Sequence, residues 1–254
     1  MTNAAKIIIT LLSIVTVGAI IAGVYIHVVR GRNFSIGTKT VEDTVKFDGE
    51  PKAVSVNVDL GNLSVTPGES FSVSYSLPES MVPEITCQNG TLKIESPKGL
   101  VTLPLNVMAD YRIDVTIPSG SKLDSAKFNL DAGDVNLRDF NAGNLDVHGD
   151  AGNINLENMS VSDITATVDA GNVNLKGCSV DRLSVKTDAG NLNIDGSSVH
   201  AIDAKTDAGN IKAHDSTIET GKCKTDLGNI SLSGNIGDVK TKTSLGNVSV
   251  KSGE

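Results

Sequence analysis

Residues 150–194 read DAGNINLENMSVSDITATVDAGNVNLKGCSVDRLSVKTDAGNLNI, and Asp-Ala-Gly-Asn opens three times in that stretch, at Asp150, Asp169 and Asp188. The interval is nineteen residues each time. Outward from this core the motif recurs at Asp131, with Asp134 in place of Asn, and at Asp207. The variant Asp226-Leu-Gly-Asn229 keeps the interval, and Ser244-Leu-Gly-Asn247 follows eighteen residues later. A fixed interval of this length marks a stacked array, in which each unit buries its apolar side only against its neighbours.

Aligned in register, the units form columns. Four residues after each Asp stand Val135, Ile154, Val173, Leu192, Ile211 and Ile230; six after stand Leu137, Leu156, Leu175, Ile194, Ala213 and Leu232. Near the end of each unit come Leu145, Ile164, Leu183 and Ile202, followed two residues on by Val147, Ala166, Val185, Ala204 and Cys223. Apolar residues two apart, in short segments broken by Gly and Asn, have the period of strands and not of helices. The expected fold is therefore all-β: a parallel β-solenoid whose equivalent residues stack about 4.8 Å apart. Gly133, Gly152, Gly171, Gly190, Gly209 and Gly228 are expected at a corner that requires positive φ. With Asp131, Asp150, Asp169, Asp188, Asp207 and Asp226, and with Asn153, Asn172, Asn191, Asn210 and Asn229, they read as structural ladders.

Composition narrows the function. The 254 residues are 39% hydrophobic but 3% aromatic, with no Trp, so the core must be aliphatic and a sugar-stacking surface is not expected. The net charge of -8 argues against a nucleic-acid partner, whose backbone is held mainly by Lys and Arg. Cys87, Cys178 and Cys223 are too scattered for a disulfide framework or a zinc site and read as free thiols; no cofactor is implied.

Residues 7–29, IIITLLSIVTVGAIIAGVYIHVV, form an apolar run of 23 after a short tail at 1–6. As a helix it would reach about 34 Å, enough for a hydrocarbon core of about 30 Å, and it is longer than the apolar part of a signal peptide. A single-pass transmembrane helix is expected. Lys6 and the amino terminus on one side nearly balance Arg30 and Arg32 on the other, so charge leaves the orientation open. Residues 30–48 read as a juxtamembrane connector without sustained period, and 131–254 as the solenoid.

Residues 49–130 hold short alternating segments such as Val54–Val58, Phe71–Tyr75 and Tyr111–Ile117, separated by Pro67-Gly68, Asn89-Gly90 and Pro118-Ser-Gly120. This is β structure without the interval, although Asp59-Leu-Gly-Asn62 already repeats the corner. It reads as an irregular β capping region that pairs with the first regular coil and shields its end. No cap is visible at the other end, where Lys240, Lys242 and Lys251 could discourage edge pairing.

The Asp column invites two chemical readings. Calcium binding is one, but repeat-in-toxin coils use a Gly-rich Gly-Gly-x-Gly-x-Asp unit that is absent here. Lys186, Lys205, Lys224 and Lys242 precede the next motif by two residues and share its face, while Thr187, Thr206, Thr225 and Thr243 should turn inward and bond one another. His148 and Thr167 stand at the lysine position of earlier coils, so Asp150 and Asp169 are the remaining metal candidates. The other reading is glycan hydrolysis by adjacent carboxylates about 5 Å apart. Catalysis, however, needs one asymmetric pair, not a column repeated in every coil. His148, His200 and His214 fall at different offsets and form no cluster.

Residues 49–250 resemble the bacterial putative-adhesin domain family, whose biochemical function is unknown. The resemblance rests on Asp59-Leu-Gly-Asn62, on Tyr111-Arg-Ile-Asp-Val-Thr-Ile-Pro118 and on the repeated Asp-Ala-Gly-Asn coils. It implies a β-solenoid, frequently attached to the membrane of Gram-positive bacteria, sometimes encoded with envelope-stress systems, with the C-terminal domain outside the cell. It supplies no catalytic residue. The expected function is a non-catalytic scaffold or binding module of the cell envelope, with a protein or cell-wall partner. The alternatives are a filament or oligomer built through the open C-terminal coil, and a glycan-acting enzyme.

Overall fold

The computed structural model of the chain describes residues 33–35, 39–97, 100–102 and 110–253. The expected spanning segment 7–29 lies outside these, and no helix among the described residues is long and apolar enough to cross a membrane.

The coils are a solenoid, and nineteen is their register. Ile154 pairs with Val173, and Val173 with Leu192, in parallel ladders. Each coil has a long strand, as in Ser160–Ala170, and a short one, as in Val173–Lys176. The long strand of each coil pairs with the next long strand, and the short with the next short. Parallel pairing at every position consumes the backbone donors and acceptors of the inner coils, which buried main chain requires.

Alternation explains the core. Along Val173–Lys176 the pattern runs buried, half-buried, buried, exposed, so Val173 and Leu175 enter the interior while Asn174 stays on the outer face. The interior is one continuous cluster from Val54 to Ile236. It changes character along the axis at the turn between a short strand and the next long one. The buried column there runs Phe140, Met159, Cys178, Ser197, Ser216. The two serines are not orphaned: Ser197 Oγ accepts from the Cys178 amide at 3.0 Å and donates to the Asp195 carbonyl at 2.9 Å. Ser216 Oγ likewise accepts from the Ser197 amide and donates to the His214 carbonyl. The aliphatic rows thus share the interior with a polar seam that backbone hydrogen bonds satisfy.

The array begins earlier than its motif. Its first regular long strand spans Lys122–Ala132, so Asp131 lies near the end of that strand and not at a boundary. Within the segment expected to be irregular, Ala53–Leu60 and Asn62–Gly68 form a further coil in register: Val54, Val56 and Val58 pair with Ala126, Phe128 and Leu130, and Leu63 and Val65 with Val135 and Leu137. A long excursion, residues 69–121, separates that coil from the next and hides the interval.

The excursion closes the end. Thr91–Glu95 and Arg112–Pro118 stack in parallel beneath the coil at 53–68. Glu84–Gln88 and Phe71–Pro78 then pair antiparallel to them, and Thr40–Phe47 pairs antiparallel to Phe71–Pro78. Thr40–Phe47, expected to lie in a connector, is therefore a strand. Only Val41, Val45 and Phe47 mark its inner side, and Asp43 interrupts their alternation, which is why the pattern is faint. Phe47 meets Phe71 with ring centroids 5.0 Å apart.

The corner glycines require a different explanation from the one expected. Gly133, Gly152, Gly171 and Gly228 have φ between 138° and 158°, but Gly190 and Gly209 do not fall in the left-handed region. What unites them is proximity. A Cβ on Gly171 would lie 1.8 Å from the Gly152 carbonyl oxygen, and one on Gly190 would lie 1.7 Å from that of Gly171. The obstacle is backbone held in the ladder, so it cannot move aside. Gly190→Ala is expected to cost about 3 kcal/mol through overpacking. Gly196→Ala, where a Cβ meets nothing within 4 Å but φ is 53°, should cost about 1 kcal/mol. Urea unfolding of both variants measures the difference, and equal costs would refute the close-approach account.

Candidate functional site

The chemistry-bearing side chains lie on the outside of the coils in columns. At the corner, Asn172 donates both its amide N–H, at 3.1 Å, and its side-chain Nδ2, at 3.0 Å, to Asn153 Oδ1 one coil below. Asn172 Oδ1 in turn accepts the same two bonds from Asn191, and Asn191 Oδ1 accepts them from Asn210. Asn229 continues the series onto Asn210, and the Asn247 amide onto Asn229. Below Asn153 the ladder reaches Asp134 and Asn62.

The direction of donation explains the one exception in the motif. Asp134 Oδ1 accepts both bonds from Asn153, as an asparagine would, while its own backbone N–H donates to Asn62 Oδ1 at 3.0 Å. The one bond it cannot make is the side-chain donation downward. An Asp at any other rung would lose the same bond. A second amide ladder, absent from the sequence reading, joins Asn136, Asn155, Asn174 and Asn193 through Nδ2–Oδ1 contacts of 2.8–2.9 Å. Its signal was present as the Asn between the two aliphatics of each short strand.

The Asp column is neutralised within its own strand. Lys186, Lys205 and Lys224 place Nζ 3.1, 2.7 and 3.0 Å from Asp188, Asp207 and Asp226. The Lys205 hydrogen bond holds the Asp207 carboxyl below its ordinary range and raises the lysine's own pKa. At Asp150 the partner is His148, whose Nε2 is 3.3 Å from Oδ1. The threonines do turn inward but do not bond one another. Thr206, Thr225 and Thr243 donate to the carbonyls of Gly190, Gly209 and Gly228, at 3.1, 2.8 and 2.9 Å. The corner glycine's bare Cα leaves its carbonyl within reach of the hydroxyl of the following coil.

Elsewhere on the long-strand face opposite charges sit on successive coils. Arg182 makes a two-point contact with Asp163, Lys127 reaches Asp146 and Lys222 reaches Asp203. The histidines also serve here: His200 Nδ1 lies 2.7 Å from Glu219, and His214 Nδ1 lies 3.2 Å from Asp195. An open groove of about 340 Å³ passes over Asp163, Arg182 and Asp203. Cys178 and Cys223 offer no nucleophile at the surface of the rod, since burial raises the first and pushes the second up to about 12, with Asp203 adding to the latter. All three cysteines are free.

No three His, Cys, Asp or Glu side chains converge to hold a metal ion among the described residues. Asp150 and Asp169 occupy successive rungs, with Asp150 against His148, and no third ligand closes on them. Ladder spacing alone does not make a calcium site, which takes six to eight oxygens.

A rod of in-register parallel coils, covered by repeated and internally paired polar columns, defines a β-solenoid domain. Residues 52–253 match the model of the Toastrack DUF4097 family, and the chain belongs to it. No curated protein is similar to it in sequence. Among solved structures it is similar to a "putative adhesin" from Bacteroides fragilis, at 17% identity and TM-score 0.60 over 84% of this chain and 97% of that one. A "putative lipid binding protein" from Parabacteroides distasonis is similar at 14% identity and TM-score 0.54, over 86% and 100%. A "putative adhesin" from Parabacteroides merdae matches at 17% identity and TM-score 0.52, over 87% and 100%. At these identities the likeness is one of fold.

Two outcomes test the ladders. Asn172→Asp loses its downward donor and sets two acceptors together, at a cost of about 1–3 kcal/mol, whereas Asp134→Asn supplies the missing donor and should stabilise by about 1 kcal/mol. Thermal unfolding distinguishes them. The melting temperature is also expected to be unchanged by millimolar calcium or by chelator; a calcium-dependent rise abolished in Asp150→Asn would establish a metal site.

Proposed function

We propose that this chain is a membrane-anchored, extracytoplasmic β-solenoid that works without catalysis, as a scaffold or adhesin-like binding module of the bacterial cell envelope. The observation that carries the reading is the pairing of the outer columns with one another. Lysine answers Asp188, Asp207 and Asp226, histidine answers Asp150, and asparagine answers asparagine between coils, so the carboxylates recur as a column and not as one pair whose two environments are set apart. Catalytic acids and bases are recognised by such differences. A glycan-hydrolysing pair would need one, and Asp150 and Asp169 belong instead to a column in which the same geometry recurs.

Supports for anchoring and orientation are the apolar run 7–29 and the family resemblance, and an envelope-stress connection rests on the resemblance alone. The architecture suits the role. The described chain enters at the closed end of the rod through Thr40–Phe47, so an anchor preceding it would leave the opposite end farthest from the membrane.

Membrane fractionation of cells producing the full chain, followed by protease treatment of intact cells, tests the proposal. The protein is expected in the membrane fraction and its C-terminal domain is expected to be cleaved or shaved from outside. Recovery in the soluble fraction, or protection until the cells are lysed, would overturn it. Turnover of cell-wall polysaccharide lost on Asp150→Asn would overturn the non-catalytic part.

A further inference from the structure

The two ends of the rod are unlike. Antiparallel strands close one end, while at the other the last coil, 235–252, has no strand stacked upon it among the described residues. Its outward edge therefore presents backbone donors and acceptors in ladder geometry, a template for another strand.

The side chains at that end are also unlike those elsewhere. The large hydrophobics exposed among the described residues are Leu227, Leu245, Val248 and Val250, at 51%, 68%, 44% and 46%, and all belong to the last two coils. Val248 and Val250 continue the inward columns of Ile230 and Leu232, so the core is cut open where they stand. Leu227 and Leu245 occupy a position that is alanine from Ala132 to Ala208, with leucine otherwise only at Leu60 in the coil beside the cap. Apolar bulk thus increases where exposure is greatest. A scaffold gains nothing from that change, and an interface does.

We propose that the open C-terminal coil is a homodimer interface, where two copies of this chain join end to end by antiparallel pairing of their 235–243 edges. The occupant follows from shape and charge. Head-to-tail addition would set this edge against Thr40–Phe47 or Glu84–Gln88, the outermost strands of the cap, each paired on one side only among the described residues; two copies of the last coil meet instead through an edge whose charges complement themselves. Such a contact is isologous and stops at two copies. The edge carries Asp238, Lys240 and Lys242 on its outer face, in line with Thr220, Lys222 and Lys224 of the coil below. A two-fold axis through Val239 sets Asp238 of each copy opposite Lys240 of the other, twice over, with Val239 against Val239. Opposite charges directly across an antiparallel pair are favourable and like charges are not. The lysines that would repel a neutral or basic strand therefore select this one. The union also covers Leu245, Val248 and Val250.

Analytical ultracentrifugation of the full chain in a nonionic detergent tests this. Asp238 and Lys240 are exposed, so exchanging them should leave the thermal unfolding of the rod unaltered. A reversible dimer is expected. Lys240→Asp and Asp238→Lys should each weaken it about tenfold, by turning two attractions into repulsions, and the double exchange should restore it. A chain that stays monomeric at every soluble concentration would overturn the proposal and leave the edge to a different partner. So would assemblies that lengthen beyond two copies, or a dimer indifferent to both single exchanges. None of these outcomes bears on anchoring or on the absence of catalysis, which the fractionation and turnover experiments address.

Discussion

At each Asp-Ala-Gly-Asn corner the backbone of one coil passes so near the carbonyl of the coil below that a methyl group would not fit between them. That contact sets the height of every step. It lets a threonine in the following coil reach the glycine carbonyl and brings each asparagine amide to the oxygen below it. It also keeps the long strands close enough to pair. A larger residue at one corner would separate two coils locally and strain three ladders at once. The glycines are therefore the least exchangeable residues of the repeat, although they contribute no side chain.

Polar groups on this rod are arranged by the same step. Stacking identical carboxylates a rung apart would be unfavourable, and the chain answers with a lysine on the same strand, two residues earlier. These pairs are exposed, and each contributes little by itself in water. Their effect is to make the column neutral, so that repetition of one sequence motif does not accumulate repulsion. The amide ladders need no such compensation, because an asparagine both donates and accepts. Asp134 departs from the rule at one rung, forgoing the side-chain donation to Asn62 while still accepting both bonds from Asn153.

Much of this was legible in the sequence because the solenoid converts spacing into contact. Val135, Ile154 and Val173 are neighbours for the same reason that they are nineteen apart. The paired lysines and aspartates were legible too, since residues two apart on a strand share a face. Part of what escaped the reading had no periodic signature, although the Asn136, Asn155, Asn174 and Asn193 ladder did recur at the nineteen-residue interval. The coil at 53–68 is separated from its stacking partner by a long excursion, and Thr40–Phe47 has half-buried residues on one side and a charge among them. The threonine hydroxyls were expected to meet each other, but the glycine carbonyl is nearer, and only coordinates reveal that. Of the histidines, which form no column, His200 and His214 meet a carboxylate of an adjacent coil, and His148 meets Asp150 two residues along its own strand.

The uniform step also makes the molecule a ruler. Because every inner coil presents the same ladder above and below, removing the nineteen residues from Ser160 to Cys178 would bring Asn141–Met159 directly beneath Ser179–Ser197 with each column still in line. The reach of the rod would shorten by about 4.8 Å, one strand spacing, with neither end altered. Length in this architecture is thus a quantity that can be changed in whole rungs, independently of what closes the one end and of what the other end meets.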